Sequence, residues 1–283
     1  MFEGERAALV DSGYVSHASQ TVALLRHALD GRQLTRLINT HSHSDHIGGN
    51  AAVKRAFGCA ITIPAGIEPA VREWDEEALM LTPSAQRAER FEHDALLAAG
   101  TEIEMGGLAW QALAAPGHDM DALVFYCPQK RILISGDALW EDGFGVVFAE
   151  LLGDSRGFPA VRQTLEMIGR LPVDVVIPGH GAPFFEVDAA LARAFQRLSA
   201  LEADSQRMAR HAIKVMLAFN LMEHRRLLRA GLPQHFRDIS LCREINARFL
   251  HSEFDELAAW TVRELERAGV LRVEGEWIVA TDA

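Results

Sequence analysis

The sequence predicts an α/β protein followed by a small helical domain. Three observations carry this. Short β-rich runs alternate with amphipathic helical patterns through about the first two thirds of the chain. Those runs end in Gly, Pro, Asp or Ser, as strands entering turns do. After residue 180 the pattern becomes almost continuously helical.

In order along the chain, the expected strands are residues 7–13 (AALVDSG), 34–40 (LTRLINT), 59–64 (CAITIP), 108–116 (LAWQALAAP), 122–128 (ALVFYCP), 131–137 (RILISGD) and 173–179 (VDVVIPG). Apolar spacing of three and four predicts helices over 17–29 and 158–171. Helices between strands imply a sheet whose faces they cover. Residues 187–229 read as one continuous helical region, free of Gly and Pro. Two further helical stretches follow, 236–250 and 253–268, and then 269–280 reads as a hairpin around EGE. Helices followed by a hairpin are the order of a small winged helix. The expected domains are 1–205 and 206–283.

The bulk composition sets limits. The chain has 283 residues, 49% hydrophobic and 24% charged, which is enough for a sizeable core and ordinary for a soluble globular protein. No apolar run approaches the roughly 20 residues needed to span a bilayer, so no membrane association and a cytoplasmic location are expected. The three cysteines, Cys59, Cys127 and Cys242, are far apart in apolar settings and read as buried thiols. A net charge of −11 disfavours non-specific attraction to nucleic acid. Between 205 and 251, however, nine basic residues face three acidic ones. That region is either a local basic surface or a solvated face paired with the acidic remainder.

The chemistry concentrates in NTHSHSDHIGGN, residues 39–50, which holds His41, His43, Asp45 and His46. His41 and His43 are two apart, so in extended chain both rings point to one side. Asp45 and His46 are adjacent and need a turn to join them, which Gly48 and Gly49 permit by allowing unusual backbone angles and close approach. Three later positions repeat an apolar strand, small residues and then a ligand: His118 in APGH, Asp137 in SGD and His180 in PGH. Imidazole and carboxylate without thiolate suit Zn²⁺, Fe²⁺ or Mn²⁺. Seven such groups are too many for one tetrahedral ion and suit two ions sharing a bridge.

Over about residues 6–185 the motifs LVDSG, THSHSDHIGG, APGH, SGD and PGH occur in an order that resembles the metallo-β-lactamase superfamily. The resemblance implies an αββα sandwich with the site at one edge of two facing sheets. It implies that His41, His43 and His118 bind one metal, that Asp45, His46 and His180 bind the other, and that Asp137 bridges them. Asp11 in VDSG matches a position that orients ligands; read alone, it is equally a turn residue closing a strand. The implied cofactors are two divalent ions, Zn²⁺ first, with Fe or Mn as alternatives. The implied reaction is hydrolysis by a metal-bridging hydroxide on an ester-type bond of a small-molecule substrate, such as a thioester or lactone, with Asp45 and Asp137 also handling protons.

Two departures qualify the likeness. Relatives carry strands before the LVDSG strand, whereas only MFEGERA stands there; an edge strand has been lost, Met1 is internal, or an upstream segment is absent. The run PGHDMDALVFY also lacks the second Gly-His found in many thioester- and lactone-hydrolysing relatives. Two alternatives therefore stand beside the main reading. One is a phosphodiesterase or endoribonuclease with a nucleic-acid-binding winged helix. The other is a persulfide dioxygenase with one iron on His41, His118 and Asp137. Segments 65–100 and 139–157 are the expected pocket walls, with Trp140, Phe144 and Phe148 either in the pocket or in the core. A homo-oligomer is compatible with the sequence.

Overall fold

A computed structural model of the chain describes residues 1–281. It divides into two compact units, the first made of Met1–Leu79 and Arg87–Ala200, the second of Met80–Gln86 and the chain from Leu201 onward.

The first unit holds two five-stranded sheets. In chain order, residues 1–97 give β1 (Phe2–Glu3), β2 (Arg6–Val10), α1 (Ala18–Leu29), β3 (Gln33–Ile38), α2 (Ser44–Ile47), α3 (Asn50–Phe57), β4 (Ala60–Pro64), α4 (Glu68–Glu73), α5 (Leu81–Ser84) and β5 (Ala95–Leu97). Of these, α5 belongs to the second unit. The first sheet has the order β1-β2-β3-β4-β5. β1 runs antiparallel to β2, and the remaining neighbours are parallel. Parallel neighbours need crossovers, which α1 and α3 supply.

The second sheet is built from β6 (Glu102–Met105), β7 (Leu108–Ala114), β8 (Leu123–Cys127), β9 (Ile132–Gly136) and β10 (Val175–Pro178). The first four form an antiparallel meander, and β10 then joins β9 in parallel, giving the order β10-β9-β8-β7-β6. Between β9 and β10 lie α6 (Phe148–Leu151) and the crossover helix α7 (Gly157–Gly169), and α8 (Val187–Ala203) follows β10. Helix α7 buries Ala160, Val161, Thr164, Leu165 and Ile168, the single stripe that a surface helix presents to a core.

The sheets face one another through a shared core. Ile38 and Leu97 of the first sheet pack with Met105, Trp110, Ala112, Leu123, Phe125, Cys127 and Ile134 of the second. All five residues of β8 are buried, as its continuous apolar run LVFYC requires. With helices outside, this is the αββα sandwich. Because β7, β9 and β10 run the same way, their C-terminal ends share one edge, and the ligand-bearing loops start there.

The second unit contains α9 (Ser205–His224), β11 (Arg226–Leu228), α10 (Leu232–Asp238), α11 (Ser240–Ile245), α12 (Phe254–Arg267), β12 (Leu271–Glu274) and β13 (Trp277–Ala280). Its sheet has the order β11-β13-β12, antiparallel throughout. The expected hairpin is β12–β13. The continuous helix expected over 187–229 is corrected at two places. Asp204 leaves helical geometry at φ −141° and caps α9, its carboxylate accepting from the Arg207 N–H at 2.9 Å. Arg225 turns the chain at φ 63°, and Arg226–Leu228 then pairs with Val279, Ile278 and Trp277 as a strand. Phe236, Ile213, Leu217 and Ile278 lie in this unit's core with 0% exposure.

The three cysteines are free and buried. Among the described residues no helix is long and apolar enough to cross a membrane.

Candidate metal centre

All seven residues singled out by motif converge at the carboxyl ends of the strands. His41 and His43 follow β3, His118 follows β7, Asp137 follows β9 and His180 follows β10. Among the described residues two groups could hold a metal ion: His41, His43 and His118, and Asp45, His46, Asp137 and His180.

The turn that brings Asp45 and His46 into the site is the one-turn helix α2. Gly48 and Gly49 have right-handed backbone angles, at φ −60° and −87°, so left-handed geometry is not their contribution. Close approach is. A Cβ on Gly48 would come within 2.5 Å of the Val15 nitrogen, and one on Gly49 within 3.1 Å of Ser12 Cβ.

The hydrogen bonds set the tautomers. Asp11 sits at φ 56°, a left-handed angle that Asp tolerates, and closes β2. Its Oδ1 accepts from Thr40 N at 2.9 Å, and its Oδ2 accepts from Thr40 Oγ1 at 2.8 Å. The same Oδ2 is 2.8 Å from His46 Nδ1, so that nitrogen carries the proton. Thr40 Oγ1 gives its hydrogen to Asp11 and therefore accepts from His41 Nδ1 at 2.9 Å. His118 Nδ1 donates to the Val146 carbonyl at 2.6 Å. In all three imidazoles Nε2 is left facing the site. Among the described residues, His41 Nε2 and His46 Nε2 are buried polar atoms with no hydrogen-bond partner. A buried bare acceptor is costly unless a cation or donor meets it.

Asp137 stands between the two groups. Its Oδ2 is 3.3 Å from His118 Nε2 and 3.6 Å from His180 Nε2, and its Oδ1 is 3.4 Å from His46 Nε2. Asp45 Oδ2 lies 2.9 Å from His180 Nε2. Burial lowers the His41 imidazole well below its usual value. Burial, and after it the His118 ring, takes His43 down to about 4. Burial opposes ionisation of His46 too, but the carboxylates of Asp137, Asp45 and Asp11 outweigh it and raise its pKa. Burial would raise Asp45, yet His46 and the bond from His180 hold it down at about 2. One group thus offers three nitrogen donors, with His41 and His43 held neutral by burial, and the other carries the ionised carboxylates of Asp45 and Asp137. The set suits divalent ions at two positions.

Of the three aromatics expected either in the pocket or in the core, two stand beside the ligands. Trp140 Nε1 donates to Asp137 Oδ1 at 3.2 Å, and its ring lies 5.2 Å from that of His180. The Phe148 ring lies 5.1 Å from His43 and 5.6 Å from His118. Phe144, by contrast, is core at 1% exposure. Asn39 and Asn50 bond one another beneath the site, Asn50 Nδ2 donating to Asn39 Oδ1 at 2.7 Å.

The family model for the metallo-beta-lactamase superfamily matches residues 2–180, more than half of the 283-residue chain. The chain belongs to the metallo-beta-lactamase superfamily. Among relatives of this superfamily member, the hydroxyacylglutathione hydrolase of Rhodopseudomonas palustris (strain BisA53) is 29% identical over 121 residues, covering 43% of this chain and 40% of that protein. That of Synechococcus sp. is 28% identical over 182 residues, covering 62% of this chain and 59% of that protein. The chain spans about half the length of the curated relatives it matches, between 38% and 59%. A solved metallo-beta-lactamase family protein from Thermus thermophilus superimposes with a TM-score of 0.56 at 19% identity, covering 99% of this chain and 92% of that one. That likeness is one of fold.

Proposed function

We propose that the chain is a dinuclear metal-dependent hydrolase acting on an ester-type bond of a small molecule, with thioesters the leading class. The observation that carries this is the pair of ligand groups meeting at Asp137, with the Nε2 atoms of His41 and His46 buried and bare. His41, His43 and His118 would hold one ion, Asp45, His46 and His180 the other, and Asp137 would touch both. When bound, two such ions supply a water-derived nucleophile at neutral pH and stabilise the negative charge that develops on the attacked group.

The protein's own groups do the rest. Asp11, Thr40 and the Val146 carbonyl fix three imidazoles with Nε2 turned inward. Asp45 is ionised throughout the neutral range and accepts the proton that the attacking water gives up. His180 Nε2 lies 2.9 Å from that carboxylate, and its side chain, 41% exposed, is the one member of the second group open to solvent. The rings of Phe148 and Trp140 offer apolar surface beside the reacting position, which suits an acyl chain better than a naked phosphodiester.

The thioester preference rests on the relatives, whose name describes glutathione acylated at sulfur. The second group of ligands also favours two ions over a mononuclear iron dioxygenase, which would use His41, His118 and Asp137 alone. The test is elemental analysis of protein purified without chelator, followed by parallel assay of a thioester, a lactone, a β-lactam and a phosphodiester. Two metals per chain and turnover of the thioester are expected. No metal, or a phosphodiester as the best substrate, would sink the reading.

A further inference from the structure

Asp119 follows His118 directly, yet its carboxylate is in neither group of candidate ligands. Both of its oxygens are engaged. Oδ1 accepts from Asp121 N at 2.8 Å, closing a tight turn that fixes the side chain. Oδ2 accepts from Ser42 twice, from its N–H at 3.2 Å and from its Oγ at 2.9 Å. Ser42 is the residue between His41 and His43, and it is buried at 6% exposure.

One side chain therefore fastens together the two segments that deliver all three nitrogen donors of one group. His41 and His43 come from the end of β3 in the first sheet, and His118 comes from the end of β7 in the second. The Leu123 N–H to Thr40 carbonyl bond, at 2.8 Å, joins the same two segments on the far side of His41. The Asp119 link lies within the ligand triplet itself. His43 Nδ1 stands 2.7 Å from His118 Nε2, a spacing that a shift of either segment would change.

We infer that Asp119 is a positioning residue for the three-histidine group, setting the affinity and geometry of the ion held there while leaving the other group unchanged. The inference rests on reading His41, His43 and His118 as metal ligands. Carboxylates that hold ligand-bearing segments change metal affinity by about 10- to 100-fold when removed, because the donors must then be ordered by the ion itself.

The experiment uses the full chain, with Zn²⁺ affinities measured by chelator competition and Co²⁺ absorption bands read as a report of coordination geometry. Asp119→Ala should weaken one of two sites by about 10- to 100-fold and alter its Co²⁺ bands, with the other site held within about twofold. Asp119→Asn, which keeps one acceptor oxygen, and Ser42→Ala, which keeps the N–H, should weaken the same site less. Melting of the chelated protein should fall by only a few degrees, about 2–4 °C per kcal/mol of lost hydrogen bonding, in the variants. Parallel weakening of both sites together with a larger fall in the melting temperature of the chelated variants would make the role merely structural and overturn the inference. So would unchanged affinities in Asp119→Ala where the wild type binds two ions. A wild type that binds no ion overturns the ligand reading first and this inference with it.

Discussion

At Gly145 the site leaves no room for a side chain. A Cβ there would lie 2.6 Å from His118 Cγ, and the neighbouring Val146 carbonyl is what holds the His118 ring. Gly145→Ala must therefore move the histidine or the loop. The expected outcome is at least a tenfold loss of metal affinity with about 1–3 kcal/mol lost from the fold, read by chelator competition and urea unfolding. Residues of this kind are hard to foresee. His41, His43, Asp45, His46, His118, Asp137 and His180 carry their chemistry in their side chains, so their spacing after strands is enough to mark them. Val146 acts through a backbone carbonyl, which any residue has. Asp119 acts through a contact to Ser42, 77 positions away, that only the packed sheets create.

At the scale of elements, α9 depends on the residue that precedes it. Asp204 is outside helical geometry and accepts from the N–H of Arg207, an orphan donor of the first turn. Asp204→Ala should cost about 1 kcal/mol, and Asp204→Ser far less, as measured by chemical denaturation followed by circular dichroism. The sequence around it shows why the region reads as one helix. Neither Gly nor Pro interrupts it, and Asp204 alone is weak punctuation. Arg226–Leu228 has helix-forming residues but becomes a strand because β13 offers it a partner, so tertiary pairing overrides propensity. β5 and β6 escape a reading of the sequence for another reason: ALL and EIEM are only three and four residues long, too short for a run or an alternation to mark a strand. The longer buried strands β4, β7, β8 and β9 are legible from their apolar runs.

For the whole molecule, metal and proton compete for the same site. Stripped of metal, the site holds imidazoles pushed in opposite directions. His180 loses from burial but gains more from Asp137 and Asp45, and rises to about 9. His46 is also raised. Their contribution to stability is full below the ordinary imidazole value near about 6.5 and is lost as pH climbs through about 9. Burial lowers His43 to about 4 and His41 well down, so their contribution is lost as pH falls from the ordinary value towards about 4. Chelated protein should thus be most stable near pH 6 to 7, roughly, when denaturation is followed across pH. Zn²⁺ at about a thousand times its dissociation constant should add about 4 kcal/mol and flatten that profile. A chelated protein whose stability climbs steadily from neutrality to pH 9 would contradict the electrostatics described for His46 and His180.

Each ligand group draws on both sheets, so ions bound there would take a topological role. Joining His43 to His118 closes a loop across 75 positions of chain, a cross-link of the length at which a covalent staple strongly restricts an unfolded polymer. Two such staples would share the seam where the sheets meet. With ions bound, pulling the sandwich open would mean breaking coordination first, so a loaded centre would also be a mechanical fastening of the fold. A chain divided after β5 would carry His41, His43, Asp45 and His46 on one piece and His118, Asp137 and His180 on the other. Neither piece could assemble either site alone, which makes metal uptake a direct gauge of whether the two halves have come together.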